Sequence, residues 1–259
     1  MTLSSPDIED LRTAKRLLEN PGLAARLSNY AGAPIEKGFA LLPAKWHALV
    51  NDATRKSIET ALDVALWTMD HGQADAPSNW WHKLAVGTTG AAGGAFGLPA
   101  LAIELPLSTA IMLRSIADIA RSQGEDLKTP EARLECVQVL ALGGPSKSDD
   151  DSEAGYFAVR AAMAKAVSDA LQHLARSGFA QKGAPAMIRL IAVVASRFSI
   201  VVSEKAAAQA VPVLGAVGGA VINTLFIAHF QDMGKGHFIV RRLERAHGAE
   251  EVKRIYQEL

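Results

Sequence analysis

The chain has one cysteine, few aromatic residues and no excess of charge of either sign. Cys136 is the single cysteine among 259 residues, which excludes an internal disulfide and is typical of a reducing compartment. Lys and Arg number 27 together, as do Asp and Glu, so the net charge does not favour nucleic acid as a partner. The acidic N-terminal sequence lacks the basic and then apolar pattern of a secretory signal. These absences predict a cytoplasmic globular protein that does not bind nucleic acid.

The common motifs of catalysis and metal binding are also missing. The sequence has no Gly-Lys-Ser/Thr of a phosphate-binding loop, no Gly-x-Ser-x-Gly, no His-Glu-x-x-His and no cysteine pair. Its seven histidines show no ligand spacing; they are at positions 47, 71, 82, 173, 229, 237 and 247. We therefore expect no cofactor and no metal ion, and whether the protein is an enzyme stays open.

What the sequence has in abundance is helical periodicity. Apolar residues recur at spacings of three and four along most of the chain, and no run shows the alternation of a strand. Ser5 before Pro6, and Thr129 before Pro130, are typical of helix starts, with Ser5 and Thr129 as the caps. We predict an all-α fold, a single compact domain of roughly ten helices. The longer predicted helices are Pro43–Met69, Leu98–Gln123, Ser152–Ser177, Pro185–Phe198 and Val211–Gln231. Shorter predicted helices end the chain near His237–His247 and Ala249–Leu259.

Two stretches of glycine and alanine interrupt this pattern. "GAAGGAF" at Gly90–Phe96 resembles "GAVGGAV" at Gly215–Val221, and each lies in a long uncharged run. No strand precedes the first stretch, which argues against a dinucleotide-binding loop. Glycines on one helix face permit close approach of another helix, so we predict two glycine-rich apolar helical hairpins. The sequence favours burial of these hairpins in the core, and leaves contact with a membrane surface and spanning of the bilayer as alternatives.

Two blocks of sequence carry a resemblance to a known family. "AFGLPALAIELPLSTAIMLRSIADIARSQGED" at Ala95–Asp126 and "SEKAAAQAVPVLGAVGGAVINTLFIAHFQDMGKGHFIVRRLERAHG" at Ser203–Gly248 resemble the EcsC family. The likeness runs in order from about Gly38 to the C-terminus. It implies a bacterial, mostly cytoplasmic protein, peripheral to the inner membrane in one interpretation, and it implies no reaction.

The resemblance also sets the expected domain organisation. Residues 1–37 are predicted to be an N-terminal helical extension, and residues 38–259 the EcsC-like helical domain. The polar sequence near 143–155 is predicted to be an exposed loop inside that domain rather than a linker between two.

Glu104 is the one charge in its apolar surroundings and is the first candidate site residue. A buried carboxylate needs a cation, hydrogen-bond donors or a raised pKa. Arg114, Lys205 and Arg241 are the cations that we consider as partners. An ion pair that joins two helices is the favoured interpretation, and a general acid or base is the alternative.

A second group of candidates lies near the C-terminus. His237 and Arg241 are four residues apart on one helix face, and Glu244 lies one turn further along. Arg241 could bind a phosphate or a carboxylate there. The favoured interpretation is a solvated helix whose Phe238 and Leu243 face the core.

These residues support two hypotheses about function. The first is an intracellular interaction or membrane-associated module whose partner is a membrane surface or a membrane protein. The second is a hydrolase-type enzyme in which Glu104, Arg114, His237 and Arg241 converge on one pocket that binds a small molecule of unknown identity. Asn223, inside the second glycine-rich run, is expected to make a hydrogen bond between helices in either case.

Overall fold

A computed structural model describes residues 3–19, 22–31, 36–68, 97–144, 155–177, 184–210 and 212–259, and the fold of this part is all-α as predicted. The helices are α1 (Ser5–Glu19), α2 (Leu23–Ala31), α3 (Glu36–Ala40), α4 (Trp46–Thr68), α5 (Gly97–Ser122), α6 (Pro130–Gln138), a 3₁₀ turn (Val139–Ala141), α7 (Tyr156–Ser177), α8 (Pro185–Ala210), α9 (Pro212–His247) and α10 (Ala249–Glu258).

The helix starts follow the predicted capping chemistry with one correction. The Thr129 hydroxyl accepts the N–H of Ala132 at 3.2 Å, with Pro130 at the first helical position, as expected. At α1, however, the hydroxyl that faces the N–H of Asp7 (3.4 Å) belongs to Ser4, and Ser5 is already helical. The prediction of Ser5 as the cap is therefore wrong by one residue.

Two helices are longer than predicted. α8 continues past Phe198 to Ala210, and α9 is one helix of 36 residues where the sequence predicted two. Gly234 and Gly236 lie in the interval between the two predicted helices. Both glycines lie inside α9, and each contacts another helix: Gly234 lies near Ile116 of α5 and Gly236 lies near α1. Tertiary packing therefore holds the helix together across residues of low helix propensity.

The core forms around α6, α8 and α9. Every side chain of α6 from Ala132 to Gln138 is buried, so this part of the helix has no solvent face. The aromatic rings of Phe198, Phe226 and Phe230 pack together, with centroids 5.3 to 6.0 Å apart, and join α8 to α9. α5 packs against α4 and α9, and α1 packs along α9.

The structure describes only part of the two predicted glycine-rich hairpins. Gly90–Phe96 lies outside the described residues. In the second run the chain passes from α8 to α9 between Ala210 and Pro212, and Gly219 is inside α9. No atom of the described residues lies within 4 Å of where a Gly219 methyl would be. At this position, the expectation of close helix approach is wrong within the described chain.

Replacing Gly236 and Gly219 by alanine should change the free energy of unfolding in opposite directions. A methyl at Gly236 would lie 2.7 Å from Leu18 Cγ and 3.1 Å from the carbonyl oxygen of Ala14. We expect Gly236→Ala to lower the free energy of unfolding by about 1–3 kcal/mol, because α1 must move away from α9. Gly219→Ala should raise it by up to about 1 kcal/mol, because alanine favours the helix and meets no neighbour. Urea unfolding of both variants checks this, and equal effects of the same sign would contradict the packing described.

Candidate functional site

Three of the predicted site residues meet where α5, α8 and α9 pack together. The ammonium Nζ of Lys205, on α8, lies 2.7 Å from Glu104 Oε1 on α5 and 2.9 Å from Asn223 Oδ1 on α9. Of the three cations considered as partners of Glu104, the structure pairs it with Lys205. Asn223 makes the hydrogen bond between helices that its position in an apolar run predicted.

We call this group, with Gln209 and Phe226, the Lys205 cluster. The Lys205 side chain has no exposed surface, and its Nζ lies 4.5 Å from the centroid of the Phe226 ring. Burial lowers the pKa of Lys205, whereas the Glu104 carboxylate opposes this shift. Gln209 Nε2 is 3.5 Å from the other oxygen of Glu104. The cluster therefore links three helices through a buried charge, and solvent does not reach Nζ.

Arg114 lies apart from this cluster. It is on α5 with Glu104, roughly ten residues later, which is about 15 Å further along the helix axis. Its side chain is exposed. The prediction that Arg114 converges on Glu104 is therefore wrong.

His237 is the centre of a second buried group, which we call the His237 cluster. Its Nε2 is 3.0 Å from Glu135 Oε2, and its Nδ1 is 2.8 Å from the hydroxyl of Tyr156. Burial lowers the pKa of His237, while the hydrogen bond to Glu135 acts in the opposite direction. The neutral ring then donates from Nε2–H to the carboxylate and accepts the Tyr156 O–H at Nδ1.

Arg241 extends this cluster toward the surface. Its guanidinium contacts three carboxylates: Glu125 (2.9 Å), Glu131 (3.2 Å) and Glu135 (3.1 Å). Arg245 also donates to Glu125. Burial raises the pKa of Glu135, but His237, Arg241 and Arg160 outweigh burial and the net shift is downward. The donors of Arg241 are thus directed at carboxylates of the same chain, so the prediction of a phosphate or carboxylate ligand there is not supported by this arrangement.

Glu244 has a separate partner on α7. Its two oxygens accept from both terminal nitrogens of Arg160, at 2.7 and 3.0 Å, in a bidentate pair. The Arg160 guanidinium also lies over the Tyr156 ring, 5.3 Å from its centroid. Phe238 and Leu243 face the core as predicted. However, His237 is fully buried rather than on a solvated helix face, because α6 and α7 cover it.

The Lys205 cluster and the His237 cluster are far apart. Asn223 and His237 both lie on α9, roughly fourteen residues or about 21 Å apart along the axis. Acid–base catalysis on one substrate needs groups within hydrogen-bond reach of the reacting atoms. The convergence of Glu104, Arg114, His237 and Arg241 on one pocket, expected for a hydrolase, is therefore contradicted.

Sequence reasoning missed several members of these clusters. Glu135 had a weak signal, because apolar residues, Leu134 and Cys136, flank it on both sides. No sequence signal marks Tyr156, since a tyrosine that follows a polar loop is common. Cys136 itself is buried, and burial raises the pKa of its thiol, so it is an inert core residue as expected.

α8 has an unusual surface for a helix that contributes to the core. It is the one helix of the described chain that is long and apolar enough to cross a membrane, by length and composition alone, with a mean hydropathy of 1.8 over its most apolar 18 residues. Only 33% of that window is buried. Ile188, Ala192, Ser196 and Ile200 are all exposed and recur every four residues on one face. This face, which we call the α8 outer face, carries neither Asp nor Glu.

Within the described residues, no three His, Cys, Asp or Glu side chains are placed to hold a metal ion. Glu244 and His247 have the spacing of a carboxylate–histidine pair, but Glu244 contacts Arg160 whereas His247 contacts Asp7 at 3.1 Å. His71 and His82 lie outside the described chain.

The fold and these contacts define an all-helical protein whose buried charges join its helices, with one long apolar helix at the surface. The chain belongs to the EcsC protein family, whose sequence model matches residues 6–243. The match begins well before Gly38, so the N-terminal segment is part of the family likeness, contrary to expectation. The chain matches no curated protein and no solved structure.

Proposed function

We propose that the protein is a peripheral membrane module whose α8 outer face lies on the surface of a bilayer. The observation that supports this most directly is the low burial of α8, since only 33% of its apolar window is buried. Large apolar side chains on a surface otherwise free of acids are typical of interfacial helices.

The opposite face of α8 favours contact in the membrane plane over spanning. Phe198, Val201 and Val202 on that face are fully buried, and Lys205 pairs with Glu104 in the core. Crossing the bilayer would separate these groups and place Lys205 in hydrocarbon without its partner. Binding through the outer face alone keeps the core intact.

The hydrolase alternative has less support. Its four residues lie in two clusters, and the Arg and His donors of the His237 cluster face carboxylates and the tyrosine of the same chain. No described residue combines exposure, a perturbed pKa and a neighbouring base in the way that a catalytic nucleophile needs.

Vesicle flotation of the full chain tests the proposal. Wild-type protein should float with vesicles of mixed phosphatidylcholine and phosphatidylglycerol, because the α8 outer face inserts aliphatic side chains between headgroups. The double variant Ile188→Ser/Ile200→Ser should lose most of this binding, by about tenfold, with its helicity and melting temperature unchanged.

The matched control is Leu41→Ser/Leu259→Ser. Leu41 and Leu259 are 56% and 36% exposed, compared with 56% and 39% for Ile188 and Ile200, and neither lies on α8. This control should float like wild type. Wild-type protein that stays with the soluble fraction, or two double variants that lose binding equally, would refute the proposal, and binding only in the presence of membrane proteins would assign the face to a protein partner.

A further inference from the structure

The hairpin formed by α7 and α8 carries a cluster of basic side chains next to Ile188. Arg189 donates to Asp169 at 2.9 Å, and this contact fixes the middle of α7 against the first turns of α8. Lys165 lies one turn from Asp169 with 4.0 Å between the charged atoms. Arg176 is on the same face of α7, two turns beyond Asp169. We call Lys165, Arg176 and Arg189 the hairpin cations.

Within the described residues, the structure pairs the hairpin cations with a single carboxylate. All three side chains are exposed, and Asp169 is the acid that the structure places among them. One carboxylate shared by two cations leaves a net positive charge beside the exposed Ile188. An aliphatic side chain flanked by Lys and Arg is the composition of helices that bind anionic membranes.

The other end of the α8 outer face is distant from the hairpin cations. Ile200 is eleven residues beyond Arg189, which is about 16 Å along the axis of α8. A methyl on Gly144 would lie 3.9 Å from Ile200 Cβ, so Ile200 lies beside Gly144 rather than beside the basic cluster. The positive end of the face is therefore at Ile188.

We infer that the α7–α8 hairpin selects anionic lipid headgroups and approaches the bilayer with its Ile188 end first. This inference rests on the proposed function and adds the lipid class and the orientation. The net charge of the whole chain is zero, so attraction to an anionic surface has to come from a local arrangement of this kind. The hairpin cations would lie at headgroup level while Ile188 inserts, and Ile200 would remain further from the surface.

Vesicles of two compositions separate the inference from the proposed function. Each basic residue close to an anionic surface contributes about fivefold in binding at moderate salt. Wild-type full-length protein should therefore bind phosphatidylcholine–phosphatidylglycerol vesicles about tenfold or more tightly than pure phosphatidylcholine, and the difference should shrink as salt is raised. The triple variant Lys165→Gln/Arg176→Gln/Arg189→Gln should lose this preference.

A control triple variant removes the same charge elsewhere. Lys128, Lys253 and Arg254 are exposed and belong to neither α7 nor α8. Their change to Gln should leave the lipid preference intact, and Ile188→Ser should weaken binding more than Ile200→Ser. Equal loss in the two triple variants would overturn the inference.

The two hypotheses fail in different ways. Equal binding of wild-type protein to neutral and anionic vesicles would overturn the lipid selectivity while leaving the α8 membrane surface in place. Absence of binding to both compositions would overturn the selectivity and the membrane surface together.

Discussion

Lys205→Met should lower the free energy of unfolding by about 3–5 kcal/mol, the cost of leaving one member of a buried ion pair without its partner. Methionine fills nearly the same volume, so the loss reports charge rather than packing. The Glu104 carboxylate and the Asn223 carbonyl oxygen, 2.7 and 2.9 Å from Nζ, both lose their donor. Urea unfolding followed by circular dichroism measures the change.

A double-mutant cycle measures the interaction energy between Glu104 and Lys205 separately from the effect of each substitution. Glu104→Met/Lys205→Met should be more stable than Lys205→Met alone, because the unpaired carboxylate is removed with its partner. The pair formed by Arg55 and Glu59 on α4 provides the comparison, since both of its side chains are exposed and its charged atoms are 3.4 Å apart. Arg55→Met should cost less than about 1 kcal/mol. Similar costs for Lys205→Met and Arg55→Met would show that Lys205 is not held in the core by Glu104.

Glu204→Gln should stabilise the protein at alkaline pH by up to about 3 kcal/mol and leave it nearly unchanged at pH 4. Glu204 is buried on α8, its Oε2 accepts the N–H of Ala24 at the start of α2, and burial raises its pKa to about 7. Well below pH 4.5 the carboxyl is neutral in the folded and in the unfolded chain. As the pH rises toward 7, the unfolded chain ionises first, so stability is lost across this interval and stays lost above it.

Melting temperatures of both proteins from pH 4 to pH 8 test this. The wild type should melt several degrees below Glu204→Gln at pH 8, and the two curves should converge near pH 4. Glutamine keeps an oxygen for Ala24, so loss of the α2 contact does not confound the comparison. A variant that melts below wild type at pH 8 would show that Glu204 is stabilising as an anion.

Sequence patterns predicted the helices well because helix formation here follows local apolar spacing. The helix predictions are wrong where contacts between residues distant in sequence determine the structure. Gly236 reads as a helix break, and only its packing against Ala14 and Leu18 of α1 shows why α9 continues through it. Gly219 reads as a packing position, yet no described neighbour meets it.

For the candidate site, too, local sequence patterns predicted individual residues but not which of them contact one another. A charge or an amide in an apolar run identified Glu104, Lys205 and Asn223 individually, because a buried polar group must find a partner. Which of the three candidate cations pairs with Glu104 could not be predicted, since Glu104 and Lys205 are 101 residues apart in sequence and three helices determine their meeting. Membership of the EcsC family is shown over residues 6–243, whereas the membrane function and the lipid class are proposals that the vesicle experiments decide.

The packing of α1 has a consequence for how the protein is made. Lys15 donates to the carbonyl oxygen of Tyr256, and Asp7 pairs with His247, contacts that span 241 and 240 residues of sequence. At about 5–20 residues per second of synthesis, α1 waits roughly ten seconds or longer on the ribosome for α9 and α10 to emerge. During that time Leu11 and Ala14, both fully buried in the folded protein, have no native partner. We therefore expect the apolar face of α1 to stay exposed on the nascent chain until the C-terminal helices are complete.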